Sequence, residues 1–190
     1  LAVVQQERSI ANGADEILEM TAELEGHGDN VAASLFGGVT AFVGGRAIRV
    51  PVGPTFAAAA FVAWVPDVAT STDASRKALG ATIDLAAAVH NIGRAVQFAT
   101  AIATDDPGML DGAAADRIHQ VGRLPEVTGA VEAMDAGMAA GAWATWLSGS
   151  GPTIGFMCDS AVAESIAAAM PDGGHTKVLA IDTQGCRLTH

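Results

Sequence analysis

Cysteine is scarce in this chain: Cys158 and Cys186 are the only two. Two thiols are too few for a disulfide scaffold, and neither sits in a local signature of a catalytic cysteine. Cys158 lies in the apolar run Ile154-Gly155-Phe156-Met157-Cys158, which predicts a buried thiol. That pattern fits a reducing, cytoplasmic compartment. Basic residues are scarce too, with 10 Lys plus Arg against 21 Asp plus Glu and a formal net charge of -11. No basic stripe is available to release counterions from nucleic acid, nor to hold an anionic membrane surface. Any phosphate ligand must then be held locally, by backbone amides and a few arginines. Long apolar runs are also lacking: the alanine-rich stretch Phe56 to Val65 is about half of what a bilayer span requires. No secretory signal, internal repeat or low-complexity tail is present.

What remains is a chain of 190 residues, 50% hydrophobic, with a mean hydropathy of +0.33. It has enough apolar surface for a sizeable core, and its alanine content predicts a large helical share. It opens on Leu1 inside a helical pattern, which reads as a cut end. Residues 1–25 read as one or two helices, and Asp29 or Asn30 as the N-cap of a helix from Val31 to Phe36. Val39 to Val43 and Ala47 to Val52 form a hairpin across Gly44-Gly45-Arg46. Pro51-Val52-Gly53-Pro54 marks a boundary. Beyond it come a buried strand from Phe56 to Val65 and a long helix from Ala81 to Ala103. Two helices follow, near Met109 to Gln120 and Pro125 to Ala140. Strands at Trp143 to Leu147 and Thr153 to Cys158, a helix at Ala161 to Met170 and two short strands at Thr176 to Asp182 and Gly185 to Leu188 end the chain. The expected architecture is an antiparallel or mixed sheet covered on one face by helices.

Chemistry concentrates in a few places. Ser148-Gly149-Ser150-Gly151-Pro152-Thr153 leaves backbone N–H groups uncovered between two strands, as an anion cradle or as a tight turn. Glu25-Gly26-His27-Gly28-Asp29-Asn30 sets an imidazole, a carboxylate and an amide close together, for a small polar ligand or for a capped helix start. Glu19 and Glu23 share a helix face and offer a carboxylate to a magnesium ion, or merely a solvated surface. Thr72 and Arg76 pair a hydroxyl with a guanidinium at a helix entrance. Arg123 closes the run His119-Gln120-Val121-Gly122-Arg123, read as a helix end. His90-Asn91 interrupts an apolar helix and needs partners if buried.

Taken in order, these signals resemble the homoserine kinases of the GHMP small-molecule kinase superfamily. Ser148 to Thr153 is similar to the superfamily's C-terminal glycine motif. Glu25-Gly26-His27-Gly28-Asp29-Asn30-Val31-Ala32 resembles E-G-H-P-D-N-V-A, with Gly28 in place of proline. Ser71 to Arg76 matches S-T-x-x-x-R, and Asp116 to Arg123 resembles D-R-L-H-Q-P-Y-R with Val121-Gly122 in place of Pro-Tyr.

The resemblance implies an α+β fold: the end of the GHMP kinase N-terminal domain over residues 1–52, then a ferredoxin-like C-terminal domain over 53–190. It implies an ATP-dependent, Mg2+-assisted transfer of phosphate to the L-homoserine hydroxyl, in threonine biosynthesis. Glu19 would be the magnesium carboxylate. His27 and Asn30 would face the substrate, Arg76 and Arg123 would grip its carboxylate, and Thr72 would stand near the transferred phosphoryl group, making Thr72 and Arg76 the catalytic pair. Gly149, Ser150 and Gly151 would shape the nucleotide site. Small-molecule substrates are the partners expected, with no nucleic acid and no membrane; the family is often dimeric, so a homodimer is implied. The superfamily's main phosphate motif, P-x-x-x-G-L-G-S-S-A, has no match here and is expected just upstream of Leu1, which predicts an inactive fragment. The competing readings are another GHMP kinase with a carboxylate-bearing or sugar acceptor, and a non-catalytic amino-acid-binding module.

Overall fold

A computed structural model of the chain describes residues 13–67 and 82–187. Among these, the residues up to Gly53 form one compact unit with those from Ile181 onward, and Pro54–Ala180 form another. The division falls between Gly53 and Pro54, and the residues from Ile181 onward pack with the first unit.

In the first unit, helices α1 (Ala14–Glu25) and α2 (Asp29–Phe36) precede a hairpin of β1 (Val39–Val43) and β2 (Arg46–Val50). Leu18, Val31, Ala32 and Leu35 bury together, with Ile17, Phe36, Phe42 and Ala47 packed around them. Neither Asp29 nor Asn30 is the N-cap: Gly28 occupies that position without a side-chain cap, and the helix starts at Asp29. The hairpin pairs Val39 with Val50 and Val43 with Arg46, so its turn holds two residues rather than three.

The expected strand from Gly185 is not formed over the described residues. Residues 181–187 instead lie along the first unit, where Gly38 N–H donates to Asp182 O at 2.6 Å and Cys186 N–H to Leu35 O at 3.2 Å. Arg49 Nη2 donates to Thr183 O at 3.1 Å. Gly37 and Gly185, at φ +67° and +71°, allow the two backbones to meet, since a Cβ on Gly37 would stand 2.7 Å from Gln184 N.

The second unit begins with a helical turn, α3 (Pro54–Ala57), where the sequence predicts strand. Asp105 explains the difference: its carboxylate accepts the Thr55 and Phe56 N–H groups, each at 3.1 Å, and caps that turn. The strand proper, β3 (Ala60–Pro66), leads to α4 (Leu85–Thr104), whose start is set by Asp84 accepting Ala87 N–H at 3.0 Å.

No helix spans Met109 to Gln120. A 3-10 turn at Pro107–Leu110 and an irregular stretch lead instead to the short α5 (Gln120–Arg123), so Arg123 ends a helix that Gln120 begins. A second 3-10 turn, Leu124–Glu126, precedes α6 (Ala130–Ala139). Strands β4 (Ala144–Leu147) and β5 (Ile154–Cys158), helix α7 (Ala163–Ala168) and strand β6 (Gly174–Ala180) complete the unit.

Every pairing in the sheet is antiparallel, in the order β4-β5-β3-β6. With α4 to α6 between β3 and β4, and α7 between β5 and β6, the strand succession and sheet order are ferredoxin-like, and the fold is α+β. Val62 and Trp64 of β3 join Ile154, Phe156 and Cys158 of β5 on one face, beneath Ala130, Ala133, Ala163 and Ile166 of α6 and α7. The expectation of helices on a single face is corrected by Phe98 of α4. It meets Trp146 edge-on at 5.8 Å, and Trp146 meets Phe61 at 5.7 Å, so α4 covers the other face there. The Phe61 and Trp146 rings lie over Gly155 on this face and helices α6 and α7 cover the opposite one, so the central β5 is buried along its whole length.

Candidate active site

The predicted site residues fall on both units, and each unit is described by itself. In the first, α1 presents Glu19 to solvent, and the loop into α2 carries His27, with Asn30 exposed in the first turn of that helix. His27 Nδ1–H donates to Asp29 Oδ1 at 2.8 Å. Asp29 is thereby drawn to the imidazole rather than to a capping bond. With Nδ1 engaged by Asp29, Nε2 is the ring nitrogen left for a ligand. The pair thus offers a ring nitrogen of fixed orientation to a small polar ligand.

Gly28 has a separate role: a Cβ there would lie 2.7 Å from Cε1 of Phe42 and closer still to other ring atoms. The glycine lets Phe42 close over the loop.

In the second unit, the loop 148–153 joins the neighbouring antiparallel strands β4 and β5. Ser148 N–H donates to Thr153 O at 2.8 Å, and Gly151 N–H to Ser148 O at 2.9 Å. Gly149 and Gly151 take φ +57° and +81°, and a Cβ on Gly151 would meet Leu147 Cδ1 at 2.9 Å. Among the described residues no backbone carbonyl accepts from Gly149 or Ser150 N–H. Two amides at the tip of such a turn are suited to an anionic oxygen.

Arg123 is buried at the end of α5, with only 9% of its surface exposed. Gln120, one helical turn earlier and also buried, donates through Nε2 to Ala114 O at 3.0 Å. Its Oε1 accepts Leu147 N–H at 2.7 Å, the last amide of β4 before the glycine loop.

Asp116 organises the approach to α5. Its Oδ1 accepts Asn91 Nδ2 at 2.9 Å and His119 N–H at 2.9 Å, and also the Ile118 N–H. Burial pushes this carboxyl upward, but the hydrogen bonds from Asn91, Ile118 and His119 together outweigh it and hold it below the ordinary carboxylate range. Those bonds occupy two backbone donors that a helix through residue 118 would need, and upstream Gly112 at φ +66° already takes the chain out of helical geometry.

Asn91 also accepts Arg117 N–H at 2.9 Å, and His90 Nε2 donates to Ala115 O at 3.1 Å. The polar pair that interrupts α4 has its partners in this turn. Gln120, Asp116 and Asn91 were not among the predicted site residues. The signal for Asn91 is its polarity on an apolar helix, and that for Asp116 and Gln120 is their place in the run that ends at Arg123. Thr72 and Arg76 lie outside the described residues.

Residues 99–176 match the family described as GHMP kinases C terminal. The chain carries a GHMP kinase C-terminal domain. A homoserine kinase of Desulfitobacterium hafniense is 36% identical over 184 residues, covering 91% of this chain and 61% of that protein. The crystal structure of homoserine kinase from Cytophaga hutchinsonii superposes with a TM-score of 0.87 at 24% identity, over 96% of this chain and 62% of that one. A mevalonate-bound mevalonate-3-kinase from Thermoplasma acidophilum gives a TM-score of 0.57 at 20% identity, over 90% of this chain and 63% of that one, and shares the fold alone. The chain spans about half to three-fifths of the length of the curated relatives it matches.

Two of the implied groups, a nucleotide phosphate and Mg2+, meet residues of different units. The amides of Gly149 and Ser150 suit a phosphate oxygen. Among the described residues no group of three or more His, Cys, Asp or Glu gathers that could hold a metal ion. Mg2+ asks for only one or two carboxylates beside water and substrate phosphates, so an exposed Glu19 fits as one such ligand. No helix among the described residues is long and apolar enough to cross a membrane.

Proposed function

We propose that the chain is part of a kinase that transfers the γ-phosphate of ATP to the side-chain hydroxyl of L-homoserine, giving O-phospho-L-homoserine and ADP on the route to threonine. The observation that carries this reading is a homoserine kinase relative covering 91% of the chain, with the His27 and Arg123 motifs inside the matched span.

In this reading Arg123 takes the homoserine carboxylate, since a guanidinium is planar and permanently charged. His27, held by Asp29, and Asn30 orient the amino acid by hydrogen bonds. Arg76 would share the carboxylate, and Thr72 would bond a phosphoryl oxygen. The amides of Gly149 and Ser150, with the turn at Gly151, steady the nucleotide side. Glu19 would hold Mg2+, whose contribution is to neutralise charge on the transferred group.

The homoserine oxygen attacks the γ-phosphorus, the bond to the ADP oxygen breaks, and the hydroxyl proton is released. Phosphoryl transfer depends chiefly on positioning and charge stabilisation, which is what these residues offer. None of the 190 residues matches the superfamily's main phosphate motif, so we expect this length alone to be inactive.

The test is homoserine-dependent ADP release, comparing this chain with a form extended upstream, and with mevalonate as a second acceptor. Homoserine-dependent release by the extended form alone supports the reading. Release with mevalonate only, or with neither acceptor, overturns it.

A further inference from the structure

We infer that Gln120 is a positioning residue that ties the turn bearing Arg123 to the glycine loop, so that an acid bound at the arginine is sensed at the nucleotide side. β4 is an edge strand of its sheet, and every second amide of such a strand faces away from its neighbour, as Leu147 N–H does between paired positions. The Gln120 carboxamide takes that place on Leu147 N–H at 2.7 Å, and its other end holds Ala114 O at 3.0 Å. Residue 148, where the glycine loop begins, follows directly.

The opposite side of the same turn is pinned to α4. Asn91 donates to Asp116 at 2.9 Å and accepts Arg117 N–H at 2.9 Å, and His90 holds Ala115 O at 3.1 Å. The turn is therefore fixed to a rigid helix on one side, while Gln120 is its link to the loop on the other. Gln120 is 7% exposed, so water has little access to replace a lost bond. The inference rests on the homoserine kinase reading for the meaning of the two ends. The link itself rests on geometry within one unit.

The experiment uses the 15N-labelled 190-residue chain and reads the backbone amides of residues 148–153. Without ligand, Asp116→Ala should move those amides, and Asp116→Asn should leave them in place because its side-chain oxygen still accepts. In a Gln120→Met background Asp116→Ala should no longer move them. If Asp116→Ala does not fold, Asn91→Ala perturbs the same turn and takes its place. Amides that stay fixed in the parent, or that move equally in the Gln120→Met background, overturn the inference.

The second arm adds L-homoserine. It should move the amides of both Arg123 and Gly149–Gly151 in the parent, and those of Arg123 alone in Gln120→Met. A response at Gly149–Gly151 that survives in Gln120→Met also overturns the inference. Homoserine that moves neither segment in the parent overturns the sensing claim and counts against the substrate reading, while the ligand-free arm still decides the link.

Discussion

Gly137 of α6 lies so close to the ring of Phe156 that a Cβ at 137 would fall inside contact distance of Cε1 and Cδ1. On an exposed helix, Gly→Ala gains up to about 1 kcal/mol. Here the ring belongs to a fully buried core residue with little room to yield. Overpacking a core costs about 1–3 kcal/mol, so with that gain subtracted Gly137→Ala should destabilise by up to about 2 kcal/mol net. Urea unfolding at 25 °C measures this, and a stabilised variant would mean that Phe156 repacks freely.

Gly28 and Phe42 are coupled in the same way. Gly28→Ala should destabilise in the presence of Phe42 and cost much less in a Phe42→Ala background. A double-mutant cycle should give an interaction of about 0.5–3 kcal/mol. Additive effects would mean that the ring does not occupy the space a Cβ needs. Since the resemblance places proline at 28, Gly28→Pro should fail for the same reason, and also because φ at Gly28 is -115°, far from the proline value of about -65°.

The pH dependence follows from two carboxylates. Asp116 and Asp105 are each pushed up by burial but brought below their ordinary values by hydrogen bonds: from Asn91, Ile118 and His119 in the first case, from Thr55 and Phe56 in the second. A depressed folded-state value means that the unfolded chain binds protons first as pH falls. Their stabilisation is therefore complete above the unfolded value of about 3.9 and is lost as pH drops through the lower folded values. The stability gap between the parent and Asp116→Asn should be constant from pH 7 to 5 and shrink below pH 4. A gap that widens in acid would contradict the hydrogen-bond assignment.

Arg123→Lys keeps the charge but loses the planar fork. If this residue takes a substrate carboxylate, homoserine affinity should fall about 10-fold to 100-fold, the worth of a charged hydrogen bond of about 1.5–3 kcal/mol. Titration calorimetry on the upstream-extended protein measures it, with a urea midpoint as the check on folding. Unchanged affinity would remove Arg123 from the substrate site.

Much of the fold was legible because its signals are local. The strand at Thr153 to Cys158, the hairpin across Gly44-Gly45 and the helix ending near Asp105 follow from apolar runs, paired glycines and breakers, which act on their immediate neighbours. The failures have two causes: a hydrogen-bond partner distant in sequence, or a local turn that competes with the expected element. Asp105 turns residues 54–57 helical from some fifty positions away, at 3.1 Å from Thr55 N. Asp116 takes the amides of Ile118 and His119 in a local turn that replaces the end of the predicted helix. The chain end leaves the second unit because Leu35, Gly38 and Arg49 offer it hydrogen bonds.

The candidate site divides along the same line. The sequence by itself determined which chemistry is present: an imidazole beside a carboxylate, a glycine loop, an arginine closing a histidine-glutamine run. Residue types and short spacings are properties of the chain, and the tertiary structure does not alter them. Only that structure decided that Asp29 orients His27, that Asn91 and Asp116 hold the turn before α5, and that Gln120 spans from that turn to Leu147. Each is a bond of defined length and direction, and the last two join segments some 25 residues or more apart. Packing alone brings them within reach.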